Sequence, residues 1–336
     1  MTQLMRTALR PLYKATRDAH PGLMIQRGYQ VHEGGGSEAK TQHIAQVCGI
    51  PASDFYVRAF RRWRAATEDA RRFHSIVLTL ETRLFIGLTG GGALETGCAI
   101  AHTYGVPFIP GSSIKGVVNA YVKETPFGQA SPAICGELFG TEPTDENPAG
   151  LSGLLRFHDA WWVPDSAECP LVQEVVTTHH LEYYGSEGET PATDLDSPVP
   201  NAQIAVHGSF LFVMEGPLAW MPLGADMLVA ALRQAGLGAK TRSGYGLFQP
   251  APAVSNDGPR CDWVDDTIAI LAKKNNAKGD DTLRSKGLAA EWKTIADAEL
   301  KAQALVDIKA RWDEQGWWES PPGGSAQKAK EIYTEA

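Results

Sequence analysis

The sequence predicts an α+β fold with a ferredoxin-like βαββαβ core. Three observations point to it: a strand pattern of period two beginning at Ser75, two amphipathic helix patterns, and short apolar strands returning after each helix. The order is strand, helix, strand, then strand, helix, strand, and right-handed crossovers leave few other ways to wind it.

The first strand spans Ser75 to Leu88. Ile76, Leu78, Leu80, Leu84, Ile86 and Leu88 share one face, against Thr79, Glu81 and Arg83 on the other. Gly90, Gly91 and Gly92 follow, then a second extended piece to Tyr104. A helix begins in the segment Pro110 to Lys115, with Ser112 or Ser113 as its cap. Ile114, Val117, Val118 and Tyr121 supply its i, i+3, i+4, i+7 stripe, and it ends before Pro126. Gly153 to Ala160 reads as the second core strand and Ser209 to Met214 as the third. Ala225 to Ala235 is helical and stops at Gly236, and Gly244 to Gln249 is the last strand.

Between the middle strands lies an insertion, 163–207, too long for a plain loop in a compact domain. The expected organisation is a mainly helical region 1–74, a core 75–250 carrying the insertion, and a helical C-terminal extension 251–336. Within the extension the clearest helix pattern runs from Thr282 to Trp312.

Composition narrows the function. Of 336 residues 43% are hydrophobic, enough for a core, and no run of eighteen apolar residues predicts a membrane span. The opening Met-Thr-Gln-Leu-Met-Arg does not have the form of a secretory leader. Five cysteines are odd in number and include no Cys-x-x-Cys pair, which argues against a zinc ribbon or a disulfide framework. Reduced thiols in the cytoplasm, and no cofactor, are expected. A net charge of −8 speaks against a protein that coats nucleic acid with its whole surface, but not against a local basic groove. Positive charge does cluster: Arg58, Arg61, Arg62, Arg64, Arg71 and Arg72 lie within one short stretch.

The most informative segment is Gly236-Leu-Gly-Ala-Lys-Thr-Arg-Ser-Gly-Tyr-Gly246. Its glycines permit close backbone approach, Lys240 and Arg242 carry charge, and Thr241 and Ser243 carry hydroxyls, a set suited to phosphate. A nucleotide-binding P-loop is excluded, because Ala239 precedes Lys240 and the helix comes before the loop instead of after it. The bland alternative is a helix-to-strand turn whose glycines serve geometry alone. Gly87-Leu-Thr-Gly-Gly-Gly92 has no helix behind it and reads as a plain turn. Ser112, Ser113 and Lys115 at a helix start make a second anion-suited element, with an ordinary serine cap as the alternative.

Together these segments resemble the RAMP superfamily of CRISPR proteins. The resemblance rests on Ile109-Pro-Gly-Ser-Ser-Ile-Lys-Gly116, Leu154-Leu-Arg-Phe-His-Asp-Ala160 and the 236–246 loop. Leu94-Glu-Thr-Gly97, His102 to Pro107, His179 to Tyr184 and Thr193 to Pro198 narrow it to a subunit of the type III-B, or Cmr, RNA-targeting complex. It covers roughly residues 75–250. It implies an RRM-like fold in a backbone subunit that binds the 3′ portion of the CRISPR RNA and helps present target RNA in antiviral defence. The implied partners are CRISPR RNA, target RNA and other Cmr subunits, with no membrane.

Carried onto this chain, the resemblance implies guide-backbone contacts from Ser112, Ser113 and Lys115 and from Lys240, Thr241, Arg242 and Ser243. The insertion becomes a thumb-like hairpin, on which His179, His180, Tyr183 and Tyr184 stack on or flank bases, or else pack the hairpin itself. The family's nuclease aspartate falls near Glu95, whose longer side chain displaces the carboxylate, so no catalytic or metal-binding residue is expected. Adjacent strand residues point oppositely, which separates His158 from Asp159. The alternatives are an endoribonuclease acting on guide precursor or target RNA, and a protein-interaction adaptor using the arginine-rich helix and Trp312, Trp317 and Trp318.

Overall fold

The computed structural model describes residues 2–12, 19–32, 38–89, 92–145, 148–250, 261–275, 277 and 279–334. The chain divides into two compact units, Met1–Pro252 and Ala253–Ala336. No helix among the described residues is long and apolar enough to cross a membrane.

In the first unit, α1 (Glu38–Cys48) and α2 (Asp54–Ala66) precede β1 (Phe73–Leu80), and β2 (Phe108–Ile109) leads into α3 (Gly111–Glu124). After β3 (Arg156–Phe157) and β4 (Ala160–Trp162) comes a hairpin of β5 (Leu171–Thr178) and β6 (Val199–Val206), with the short α4 (Leu181–Gly185) between its strands. The chain then returns through β7 (Ser209–Glu215), α5 (Met221–Gln234) and β8 (Phe248–Pro250). The sheet has the order β8-β1-β7-β4-β2, with β3 also paired to β7, and every pairing is antiparallel.

Both faces of this sheet are covered. Register places Ile76, Leu78 and Leu80 beside Phe212, Phe210 and Phe248 on one face. The paired helices α3 and α5 pack there, with Ile114, Val118 and Leu228 fully buried. On the other face α2 lies over Trp161: the Tyr56 and Trp63 rings stack on it at 5.8 and 6.0 Å, and the Tyr56 hydroxyl donates to Trp162 O at 2.5 Å. Ser53 caps α2 by accepting from Tyr56 N–H, an interaction worth about 1 kcal/mol. Sandwiching explains why β7 reads as a continuous apolar run instead of an alternating one.

Several boundaries differ from the sequence expectation, each for a local reason. β1 ends at Leu80; beyond a turn at Glu81 and Thr82 the chain leaves the sheet, and Leu84 and Phe85 pair singly with Val206 and Ala239. The extended piece before Tyr104 forms no strand of its own, only a single bridge between Ile100 and Pro107. The strand expected at 153–160 is broken into β3 and β4, because Asp159 turns away to accept from Gly111 N–H at 2.8 Å. Asp159 thereby takes the capping role expected of Ser112 or Ser113; the N-cap position belongs to Pro110, with no side-chain cap of its own. Positive φ at Gly244 and Gly246 delays the last strand to Phe248.

The second unit holds α6 (Asp262–Asn275), α7 (Gly279–Leu283), α8 (Lys286–Lys293), α9 (Ala298–Glu314) and α10 (Gly323–Thr334). The single helix expected from Thr282 to Trp312 is interrupted twice. Ser285 caps α8 by accepting from Leu288 N–H, and Asp297 accepts from Leu300 N–H at the start of α9. Trp312, offered by the sequence as an interface anchor, is fully buried in this unit's core with Trp292 and Tyr333. Trp317 and Trp318 are half-buried, their rings 6.5 and 5.9 Å from that of Trp312. Arg311 joins two helices: its guanidinium donates to both oxygens of buried Asp307 and, at 2.6 Å, to Asp265, while Asp307 also accepts from Cys261 N–H.

Removing Arg311 strands two carboxylates, one of them buried. Arg311→Met is expected to destabilise the second unit by about 3–5 kcal/mol, read as an earlier tryptophan-fluorescence transition in urea on the full chain. At the far end of the sheet Glu215 binds Arg72 at 2.9 Å, Arg156 at 3.1 Å and His158 at 3.3 Å. Arg72 above all, then His158 and Arg156, holds its carboxyl below the usual value of 4.5. That contribution is present above the ordinary carboxylate pKa and is lost as pH falls through the depressed one. Glu215→Gln should therefore melt slightly below wild type at pH 7 and indistinguishably from it near about pH 2.

Candidate nucleic-acid interface

The glycine-rich loop closes on the chain that follows β1. Ala239 N–H donates to Phe85 O at 2.8 Å, Gly246 N–H to Arg83 O at 2.7 Å, and Leu237 N–H to Gly246 O at 2.9 Å. Three of its glycines serve this closure. Gly236 follows the last turn of α5 at φ +70°, donating to Ala231 O. A Cβ at Gly238 would lie 2.2 Å from Phe85 O, and one at Gly246 1.9 Å from Leu237 O. Gly244 differs: its φ is +84°, but nothing lies within 4 Å of its Cβ position.

What the closed loop presents outward is Lys240, Thr241, Arg242 and Ser243. Lys240 holds a left-handed backbone at φ +61°, and Thr241–Ser243 form a single 3₁₀ turn. Lys240, Arg242 and Ser243 are exposed and Thr241 is half-buried. Among the described residues neither Lys240 nor Arg242 makes an ion pair.

Beside the loop lies a groove of about 620 Å³. Its floor is the end of β1 and the turn after it, Thr79 to Arg83; one wall is Ser243, Gly244 and Tyr245 of the loop, and the other is the root of the hairpin, at Ser166, Ala167, His207 and Gly208. Arg83 stands only loosely paired, its Nε 3.9 Å from Glu174. Burial lowers the His207 pKa, and nearby Arg83 adds to this against the opposing hydrogen bond to Cys169 O. Burial raises that of Tyr245, with Glu174 adding to it. Arg83, His207 and Tyr245 were not singled out in the sequence: Arg83 sits on the polar face of the first strand, and His207 and Tyr245 lie in the insertion and the glycine-rich loop, where other residues carried the reading.

The hairpin is an eight-residue antiparallel ladder, Leu171 facing Val206 and Thr178 facing Val199. At its tip His180 Nδ1 lies 2.9 Å from Asp196, which also accepts from Thr193 N–H and Oγ1. These bonds, the His180 one foremost, hold the Asp196 carboxyl below its ordinary range. The clasp leaves His179, Tyr183 and Tyr184 exposed, with Tyr184 at 67%, and the two tyrosine rings meet edge-on at 5.5 Å. Packing of the hairpin base is done by other residues, since α1 lies against both strands and buried Lys40 donates to Asn201 Oδ1 at 2.7 Å.

The remaining candidates lie apart from the groove. Ser112 and Ser113 are exposed and Lys115 half-buried at the start of α3, on the edge of the sheet opposite the loop. That helix start sits against Phe157, level with His74, whereas the loop sits beyond Leu80. Six residues of strand separate the two levels, on the order of 20 Å, so the two anion-suited elements form no single site. The Asp159 carboxylate already holds the first N–H of α3. Glu95, at φ +52°, lies 3.5 Å from Lys40 Nζ. His158 turns to Glu215 and Asp159 to Gly111, so the adjacent pair diverges.

Residues 77–213, a stretch that starts within β1 and ends within β7 and includes the hairpin, match the model of the RAMP superfamily. The match ends before the glycine-rich loop. More particularly, the chain is similar to CRISPR system Cmr subunit Cmr6. It is 27% identical to the protein of Pyrococcus furiosus, over 54% of this chain and 69% of that one. It is 28% identical to the protein of Saccharolobus solfataricus over 51% of this chain, spanning 56% of the relative's length. Its fold is shared with a chain in the cryo-EM structure of the type III-B Cmr-beta complex bound to cognate target RNA, at a TM-score of 0.50 and 22% identity, covering 63% of this chain and 71% of that one.

The glycines separate closure from exposure. Gly246→Ala forces a Cβ into Leu237 O and is expected to cost more than about 3 kcal/mol. Gly244→Ala meets only the left-handed backbone penalty of about 1–2 kcal/mol. Urea denaturation of the two variants measures the difference directly.

Proposed function

We propose that this chain is a non-catalytic RNA-binding subunit of a type III-B CRISPR effector, acting in the cytoplasm with CRISPR RNA, target RNA and other Cmr subunits. In this reading it binds the 3′ portion of the guide and presents target RNA for cleavage by neighbouring subunits. Residues 75–250 form a ferredoxin-like, RRM-like RAMP core, with 1–74 and 251–336 as helical additions. The strand order β8-β1-β7-β4 with two helices on one face supports that core.

The observation that carries the function is the groove. It runs between an exposed cationic loop and the root of a projecting hairpin, and its lining is largely polar. Phosphates need positive charge without strong internal competitors, which Lys240 and Arg242 supply. Bases need flat partners, which Tyr183 and Tyr184 offer at the tip, flanked by His179 and His180. Ser112, Ser113 and Lys115 then meet the same strand several nucleotides away instead of joining the loop. The non-catalytic reading is supported by Glu95 facing Lys40 and by the divergence of His158 and Asp159.

Lys240→Ala with Arg242→Ala should weaken single-stranded RNA binding and lower the slope of log K against log salt by about 1.4, two contacts at roughly 0.7 each. Fluorescence anisotropy across a salt series reads both quantities, and an unchanged slope and affinity would remove the loop from the interface. Cleavage of labelled guide-precursor or target RNA by the purified chain, with or without magnesium, would overturn the non-catalytic assignment.

A further inference from the structure

We infer that the groove between the loop and the hairpin root is a ribonucleotide subsite in which His207 accepts the 2′-hydroxyl of one nucleotide of bound single-stranded RNA. The inference rests on the proposed RNA-binding function and specifies what the groove adds to it.

Three features support it. The first is tautomer control. His207 Nε2 lies 2.6 Å from Cys169 O, a carbonyl that can only accept, so this nitrogen carries the proton. Nδ1 is then left as the acceptor of a neutral ring. Burial disfavours the imidazolium, which preserves that acceptor at neutral pH.

The second is rigidity. His207 O accepts from Trp162 Nε1 at 2.8 Å, and His207 N–H donates to Pro170 O. Gly208 follows at φ +94°, where a Cβ would lie 2.7 Å from both Ser166 Oγ and Trp162 Nε1. The backbone of His207 is therefore held on both sides, and its ring by the Nε2 bond to Cys169 O. A fixed acceptor discriminates between sugars, whereas a mobile one relaxes to suit either.

The third is the company it keeps. Arg83, Ser243 and Tyr245 line the same groove, with Glu81 as its one acidic residue, and its volume of about 620 Å³ suits one nucleotide. The Tyr245 ring, backed by Phe85 at 4.7 Å, adds an apolar surface. Ser243 belongs both to this groove and to the exposed turn carrying Lys240 and Arg242. A strand whose phosphates follow that turn thus brings its next sugar to the mouth of the groove. The chemistry asked for is an acceptor facing a sugar hydroxyl, which RNA carries and DNA lacks.

The test compares the full chain with three oligonucleotides of one length: oligouridine, its 2′-fluoro counterpart and its 2′-deoxy counterpart. The 2′-fluoro sugar has no hydroxyl to donate but keeps a ribose-like shape. Wild type is expected to bind the ribose form about 3- to 10-fold more tightly than the 2′-fluoro form, the value of one hydrogen bond. His207→Ala should bring that ratio to one. Equal wild-type affinity for the ribose and 2′-fluoro forms overturns the inference without needing any variant, and a ratio that survives in His207→Ala overturns the assignment to His207. RNA binding that falls in the Lys240→Ala, Arg242→Ala variant while the sugar ratio stays at one would leave the proposed function standing and sink only the subsite. If no oligonucleotide binds, both fail.

Discussion

The main-chain approach of the 236–246 loop to residues 83–85 is the constraint on which the rest of the groove depends. Two hydrogen bonds, from Ala239 to Phe85 and from Gly246 to Arg83, seat the loop. Neither bond survives a side chain at the crowded glycines, since Gly238 and Gly246 have carbonyl oxygens where a Cβ would go. Because the backbone closes so tightly on itself, the side chains of residues 240–243 have nowhere to go but outward. The cationic turn is thus a consequence of glycine packing three residues away.

The same turn that receives the loop also receives the hairpin. Leu84 N–H donates to Val206 O and Leu80 N–H to Gly208 O, so the root of the hairpin is hydrogen-bonded to the chain that floors the groove. Loop, floor and hairpin root are therefore one hydrogen-bonded assembly, not three neighbouring surfaces. At the opposite end of the sheet, Glu215 gathers Arg72, Arg156 and His158 into a network of its own. Those cations are spent on a carboxylate, whereas the charge of Lys240 and Arg242 stays available.

Covering both sheet faces directs any long ligand to the edges. α2 stacks Tyr56 and Trp63 on Trp161, over the face that α3 and α5 leave uncovered. On that side Thr79, near the end of β1, enters the groove. An arginine-rich stretch that looked from its composition like a nucleic-acid element is, on its inner face, a lid of aromatic side chains.

How much was legible in the sequence depended on whether a residue's role was local. Periodicity located β1, β7, α3 and α5 because burial of one face or both is written into neighbouring residues. The spacing of glycines marked the 236–246 loop, and the length of 163–207 marked an element projecting from the core. Local pattern did not reveal that Asp159 would cap α3, that Leu84 would leave the sheet, or that Lys40 would reach Asn201, since each partner is remote in sequence. His207 is the clearest case: its tautomer follows from a carbonyl at Cys169 and its position from an indole at Trp162. The elements, their order and the cationic loop could be read from the residues alone, because helix and strand periods and glycine placement are short-range properties. Which polar groups share the groove, and that the loop and the start of α3 stand apart, emerged with the folded chain, because those facts are distances between segments remote in sequence.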